Sequence, residues 1–422
     1  MTRVYFDWAA SAIPDTPLLQ LSLQQSLEDF ANPSAKHSEG RSARKLLENA
    51  RSRCATVLGI PPASLCFTSG GTESNQLVLQ SPIFAPPGGL AVPSAALFSS
   101  IEHPSVLDNA RFLEAAGCAV QLMNPDQDGR VTPEALTRNL ERFHANDAVK
   151  SPTGNRRLRL VSIMAVNNET GAIQDISALV AAVRSFCREH GLPPVHFHCD
   201  AVQAIGKSTL DLAAWGVDSA AISAHKLGGP RGIGLLYLRR KLETRSAGGH
   251  QESGLRSGTE NLFGALGLAL ALESHASSDA LNLSLTAASA RLARLLTALR
   301  TLPSPSASSS PSACVPIPAD RTQNDPRFSP YILQLRCPGI PGEVMVRALD
   351  DLGIAVSTGS ACSTNSPRRV VLEAMGLAPS HAFEGFRISQ GWSTTDADID
   401  ALVDGIRRVR SILISGQKTS IL

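Results

Sequence analysis

The chain lacks several features that would point to common function classes. Among its eight cysteines, at 54, 66, 118, 187, 199, 314, 337 and 362, no two form a C-x-x-C pair, and no His/Cys cluster has zinc spacing. A structural metal site is therefore not expected. Several of these cysteines lie in apolar runs, such as Cys66 in LCF and Cys118 in GCAV, and read as small buried hydrophobes in a reducing compartment. No stretch approaches the roughly 18 unbroken apolar residues of a membrane span. The start, MTRVYFDWAAS, lacks the basic-then-apolar pattern of a secretory signal. Charge is sparse and balanced, at 18% with a formal net +2, and the arginines are scattered apart from short groups such as Arg156, Arg157 and Arg159. This argues against a nucleic-acid partner, which calls for a clustered basic face. The expectation is a cytoplasmic protein that binds neither membrane nor nucleic acid.

What is present is a long alternation of short apolar runs with amphipathic stretches. It predicts a helix-covered, mostly parallel sheet. Strands are expected at 64–69, 95–100, 119–123, 159–166, 195–200, 219–224 and 234–239, with helices at 42–59 and 177–191 between them. After about residue 262 the pattern changes. Helices are expected at 262–275, 280–301, 341–352 and 396–413, and strands at 331–336, 354–358 and 386–391. The Pro/Ser-rich run 303–330 reads as a mobile surface insertion. With 422 residues, two domains are expected: 14–262 as the larger, and 1–13 with 263–422 as a smaller α+β unit.

Motifs cluster just beyond the expected strand ends, where open α/β sheets bind ligands. TSGGTESN (68–75) offers Gly70, Gly71 and Thr72 at a helix start, a natural phosphate cradle or a plain capped turn. HCDAVQ (198–203) ends an apolar strand on Asp200. A carboxylate there either meets a cation, such as a pyridinium nitrogen, or caps the next helix. In SAHKLGG, Lys226 sits between a strand and a glycine turn, with Ser223 and His225 beside it. A lysine half-withdrawn from water forms Schiff bases; the plainer alternative is a solvated loop residue. His103 in IEHPSVL follows a strand and can stack on a flat ring or simply face solvent. Each signal is modest alone. Their order along one sheet edge implies a single cofactor surrounded by loops.

These stretches, together with YFDWAAS, VSIMAVNNETGAIQDI, GLRSGTENL and STGSACS, resemble the cysteine desulfurases, in the class-V aminotransferase group of fold-type-I pyridoxal-phosphate enzymes. The resemblance spans nearly the whole chain in order. It implies a fold-type-I α/β architecture with a seven-stranded sheet, pyridoxal 5'-phosphate as cofactor and L-cysteine as substrate. Lys226 resembles the lysine that holds the cofactor aldehyde. Gly71, Thr72, Ser223 and His225 match the phosphate cradle, Asp200 the partner of the ring nitrogen, and Gln203 the contact to the ring hydroxyl. His103 matches the histidine stacked on the ring and near the proton transfers. Asn168 matches a residue beside cofactor and substrate, and Arg387 the substrate-carboxylate arginine. Thr259 resembles the residue that reaches the phosphate from the other subunit of a homodimer. Cys362 matches the persulfide cysteine, on a loop of the longer, iron-sulfur-cluster type.

The implied function is transfer of sulfur from cysteine to Cys362, with release of alanine, for a sulfur-acceptor or scaffold protein of iron-sulfur assembly or tRNA thiolation. The alternatives are a selenocysteine lyase or aminotransferase on the same fold, or a non-catalytic sulfur-transfer scaffold. The chain departs from the family pattern at the long segments 145–157 and 303–330, at His250, and at Trp8-Ala9-Ala10-Ser11.

Overall fold

The computed structural model describes residues 3–84, 94–150, 157–242, 248–302, 314–359 and 368–417. Its twelve strands are β1 (Val4–Tyr5), β2 (Leu65–Thr68), β3 (Ser94–Ser99), β4 (Ala119–Met123), β5 (Arg157–Ser162), β6 (His196–Asp200), β7 (Ser219–Ser223), β8 (Gly234–Leu238), β9 (Val315–Pro316), β10 (Ile332–Arg336), β11 (Ile354–Ala355) and β12 (Gly385–Ser389). The central sheet has seven strands in the order β2-β8-β7-β6-β5-β3-β4. The contacts β7–β6–β5–β3–β4 are all parallel. Only β8 runs against its neighbours, β2 and β7. The carboxyl ends of the remaining strands therefore open on one edge. β2, β3, β7 and β8 are buried along their whole length, as expected of strands covered by helices on both faces.

The expected strands are all present, with ends moved by a residue or two, except that β5 stops at Ser162 and β11 is only Ile354–Ala355. Helices Pro104–Ala115 and Pro133–Lys150 fill gaps between expected strands, and helix Thr16–Glu28, ahead of the first large-sheet strand, was not foreseen. Helix Leu262–Ala276 is apolar nearly all round and packs beneath the sheet against the first two helices. A helix without a polar face belongs inside a large core. Gly267 in it faces Pro230 so closely that a Cβ would lie 2.4 Å from the proline ring.

A second apolar cluster joins Phe6, Leu292, Leu295, Leu333, Leu335, Phe386, Ile388, Leu402 and Ile406. It underlies a three-stranded antiparallel sheet ordered β12-β10-β9. The amino-terminal segment runs along this unit: β1 pairs with β11, and the Ser389 N–H donates to the Phe6 carbonyl at 2.8 Å. That path carries Ala9 and Ala10 to the edge of the large sheet.

The run 303–330 departs from the expected mobile insertion. Residues 303–313 lie outside the described set, but 314–330 is tied down. Arg321, 1% exposed, donates from Nη1 to the Thr170 carbonyl and from Nη2 to the Ser329 carbonyl, both at 2.8 Å. The Arg327 guanidinium meets Asp128, Asp320 and Asp325. Composition marks a segment as loop-like, but it does not reveal buried arginines that bind backbone carbonyls.

Two cysteines also depart from the reduced-thiol expectation: Cys314 and Cys337 are bonded to each other. The register that pairs Leu335 with Pro316 and Arg336 with Val315 sets these two residues opposite one another.

Leu268 is fully buried in the central helix. Leu268→Ala should cost about 2–5 kcal/mol of stability, measured by urea denaturation.

Candidate active site

The loop after β2 brings Gly70 and Gly71 to the start of helix Gly71–Phe84. Gly70 has φ +154, and a Cβ on Gly71 would lie 2.6 Å from the Val202 side chain. Only glycine fits this approach. Thr72 and the first N–H groups of the helix therefore face the space at the sheet edge, with the positive end of the helix dipole behind them.

Ser223 ends β7, and a short turn then places His225 and Lys226. Lys226 Nζ donates to the carbonyls of Ala9 at 2.6 Å and Ala10 at 2.8 Å. Burial first, and then the charges of Lys226 and Lys207, push the His225 pKa down to about 4, so this ring is neutral at pH 7.

Asp200 ends β6 and is buried. Its Oδ1 accepts from the Val202 N–H at 3.0 Å, and its Oδ2 from Asn75 Nδ2 at 2.9 Å. Asn75 also bonds Ser105 Oγ at 2.9 Å and His198 Nε2 at 2.9 Å. Because Asn75 Nδ2 donates to the carboxylate, its Oδ1 accepts from His198 Nε2, which fixes the proton on that nitrogen. Burial holds the His198 pKa near 3. His103 caps helix Pro104–Ala115 by accepting from the Ser105 N–H at Nδ1, 3.1 Å away. Its pKa is lowered, chiefly by burial.

These groups line one cavity of 220 Å³. Its walls include Gly71, Thr72, His103, Asn168, Asp200, Gln203, Ser223, His225 and Lys226. A second cavity of 330 Å³ shares His103, Asn168, Gln203 and Lys226 with the first, and adds Arg387, Glu169 and Gly359. Arg387, on β12, is 2% exposed. It donates to Asp7 Oδ1 at 2.6 Å and to the Asn168 carbonyl at 2.8 Å, and its Nε has no hydrogen-bond partner among the described residues.

The expected cluster thus comes together except at two positions. Thr259 is exposed and lines neither cavity. Cys362 lies outside the described residues, which stop at Gly359 on the wall of the second cavity and resume at Arg368. The five described free cysteines, Cys54, Cys66, Cys118, Cys187 and Cys199, are all buried. Burial raises the pKa of Cys54, Cys66, Cys187 and Cys199, which withholds the thiolate form.

Residues not singled out from the sequence also shape the site. Asp7 orients Arg387, Asn75 holds Asp200, and Glu102 accepts from the Met164 N–H at 2.7 Å under the cavity. Asp7, Asn75 and Glu102 stand inside quoted motifs, but nothing in the sequence paired Asp7 with Arg387 or Asn75 with Asp200 across such distances.

The chain belongs to the class-V aminotransferase family, whose model matches residues 4–402. A relative named cysteine desulfurase IscS, from Dictyoglomus turgidum, is 32% identical over 414 residues, covering 96% of this chain and 94% of its own length. A solved structure titled NIFS-like protein superposes with a TM-score of 0.80 at 30% identity, covering 97% of this chain and all of the other. Another, titled SspA in complex with cysteine, has a TM-score of 0.71 at 28% identity and covers 92% and 99%.

Glu102 yields a pH test. Burial, with the Asp200 charge, raises its pKa from 4.5 to about 8. A carboxyl that holds its proton more tightly when folded contributes stability that is full below pH 4.5 and is lost as pH rises through about 8. Glu102→Gln should flatten that fall, read as urea midpoints across this range. An unchanged slope would show that the group does not titrate this way.

Proposed function

We propose that this chain is a pyridoxal-phosphate cysteine desulfurase. In this reading L-cysteine and the Cys362 thiol give L-alanine and a persulfide on Cys362. The carbon–sulfur bond breaks, a proton replaces sulfur on carbon, and a sulfur–sulfur bond forms. The observation that carries the reading is that an amine (Lys226), a buried carboxylate (Asp200) and an anion-binding helix start (Gly71, Thr72) face one cavity.

The residues fit the cofactor. Gly71, Thr72, Ser223 and His225 surround the place for its phosphate, and the close Gly71 approach leaves no room for a side chain in that cradle. Asp200 keeps acceptor capacity for a cationic ring nitrogen, and the Asn75 bond keeps its carboxylate aimed. Gln203, Asn168 and His103, the last fixed by its cap, line the same cavity and would hold the ring. Bound there, pyridoxal phosphate supplies an aldehyde that joins an amine and a ring that takes up negative charge from the α-carbon.

The side chains do the rest. Arg387, oriented by Asp7, holds the substrate carboxylate beside Asn168. Lys226 takes the proton from the α-carbon, and His103 handles a proton nearby. The Cys362 thiolate attacks the substrate sulfur. Segments 1–13 and 263–422 bring Arg387 and the Cys362 loop to a cofactor held by 14–262. Thr259 completes the phosphate site of a second copy in a homodimer, which its exposure favours. The persulfide passes to a sulfur-acceptor or scaffold protein of iron-sulfur assembly or tRNA thiolation. The relatives' names support the substrate. Among the described residues no helix is long and apolar enough to cross a membrane.

Lys226→Ala should abolish the yellow absorbance of the purified protein; a normal spectrum would refute the lysine assignment. Cys362→Ser should keep the colour and stop sulfide release from cysteine. Alanine and sulfide formation, measured against keto-acid formation, separates this reading from an aminotransferase.

A further inference from the structure

Lys207 is an amine in a place unfavourable to its charged form. It is 5% exposed, in the turn after β6, and the charges that act on it, Lys226 and Arg387, have the same sign. Burial and these neighbours lower its pKa well below 10.5. An apolar side chain at this position would avoid the desolvation cost. The amine has one side-chain acceptor, Gln203 Oε1, at 2.8 Å. Gln203 Nε2 in turn donates to the Ala9 carbonyl at 2.8 Å. That same carbonyl accepts from Lys226 Nζ at 2.6 Å. A carbonyl can only accept, so the Gln203 nitrogen faces Ala9 and its oxygen faces Lys207. The two lysines are thus joined by one amide and one shared carbonyl.

We propose that Lys207 is a positioning residue that locks the Gln203 amide with its nitrogen toward the cavity and sets the proton affinity of Lys226. The proposal rests on Lys226 being the cofactor lysine. Lys207 draws on Gln203 Oε1, which strengthens the Gln203 nitrogen as a donor to the Ala9 carbonyl and leaves that carbonyl a weaker acceptor for a protonated Lys226, so the unprotonated amine is favoured there. The other ionisable groups that act on the pair are His225 on both lysines, His103 on Lys226 and Arg387 on Lys207, and Asp200 shares the cavity with Lys226. All stay in place when Lys207 is changed.

The test compares wild type, Lys207→Met and Gln203→Met. In cofactor-free protein, the pH midpoint for acetylation of Lys226 by acetic anhydride is read by peptide mass spectrometry. In protein loaded with pyridoxal phosphate, the pH midpoint of the visible band is read by absorbance. Both midpoints should move upward by about half a unit or more in Lys207→Met, and in the same direction in Gln203→Met. If Lys207→Met does not fold, the Gln203→Met midpoints decide. Unchanged midpoints, even with lowered thermal stability, would make Lys207 merely structural and overturn the proposal. A wild type that takes up no cofactor would sink the pyridoxal-phosphate reading, while the acetylation midpoints would still decide the link between the two lysines.

Discussion

The site depends on keeping an amine and a carboxylate near each other in a buried place without letting them neutralise one another. Lys226 and Asp200 line the same cavity, yet each is held by other groups: Lys226 by the Ala9 and Ala10 carbonyls, Asp200 by Asn75 and the Val202 N–H. Taking either charge from water is costly unless its hydrogen-bond capacity is met. The described partners of both groups are neutral.

That arrangement follows from the topology. β6 and β7 are adjacent and parallel, so their carboxyl ends deliver Asp200 and Ser223 side by side, with Lys226 one short turn beyond. β2 runs in the same sense two positions away, because β8 reverses between β2 and β7, and it brings the glycine turn to the same edge. Small residues let the pieces close up: a Cβ on Gly234 would lie 2.7 Å from Gly70 Cα. The second unit contributes Arg387, and its guanidinium clasps the carbonyl of Asn168 from the large sheet.

Much of this was legible in the residues. Buried strands such as Leu65–Thr68 and Gly234–Leu238 announce themselves as short apolar runs ending in turn residues, and the site motifs fall where those runs end. Helix Thr16–Glu28 was missed because its leucines alternate with polar residues without a clear helical stripe, leaving several exposed. The order in 314–330 was hidden because it rests on one buried arginine, Arg321, binding the Thr170 and Ser329 carbonyls, and on Arg327 gathering three carboxylates. Asn75 and Asp7 were overlooked for a similar reason, acting through partners far along the chain, while Lys207 was overlooked because its spacing of four residues from Gln203 gave no hint of burial.

The central claim is that the amine at 226, rather than the more deeply buried one at 207, holds the cofactor. Borohydride reduction of the protein loaded with pyridoxal phosphate, followed by peptide mass spectrometry, tests it directly. The account predicts the added mass on the peptide containing Lys226 alone. Attachment at Lys207, or no attachment, would contradict it.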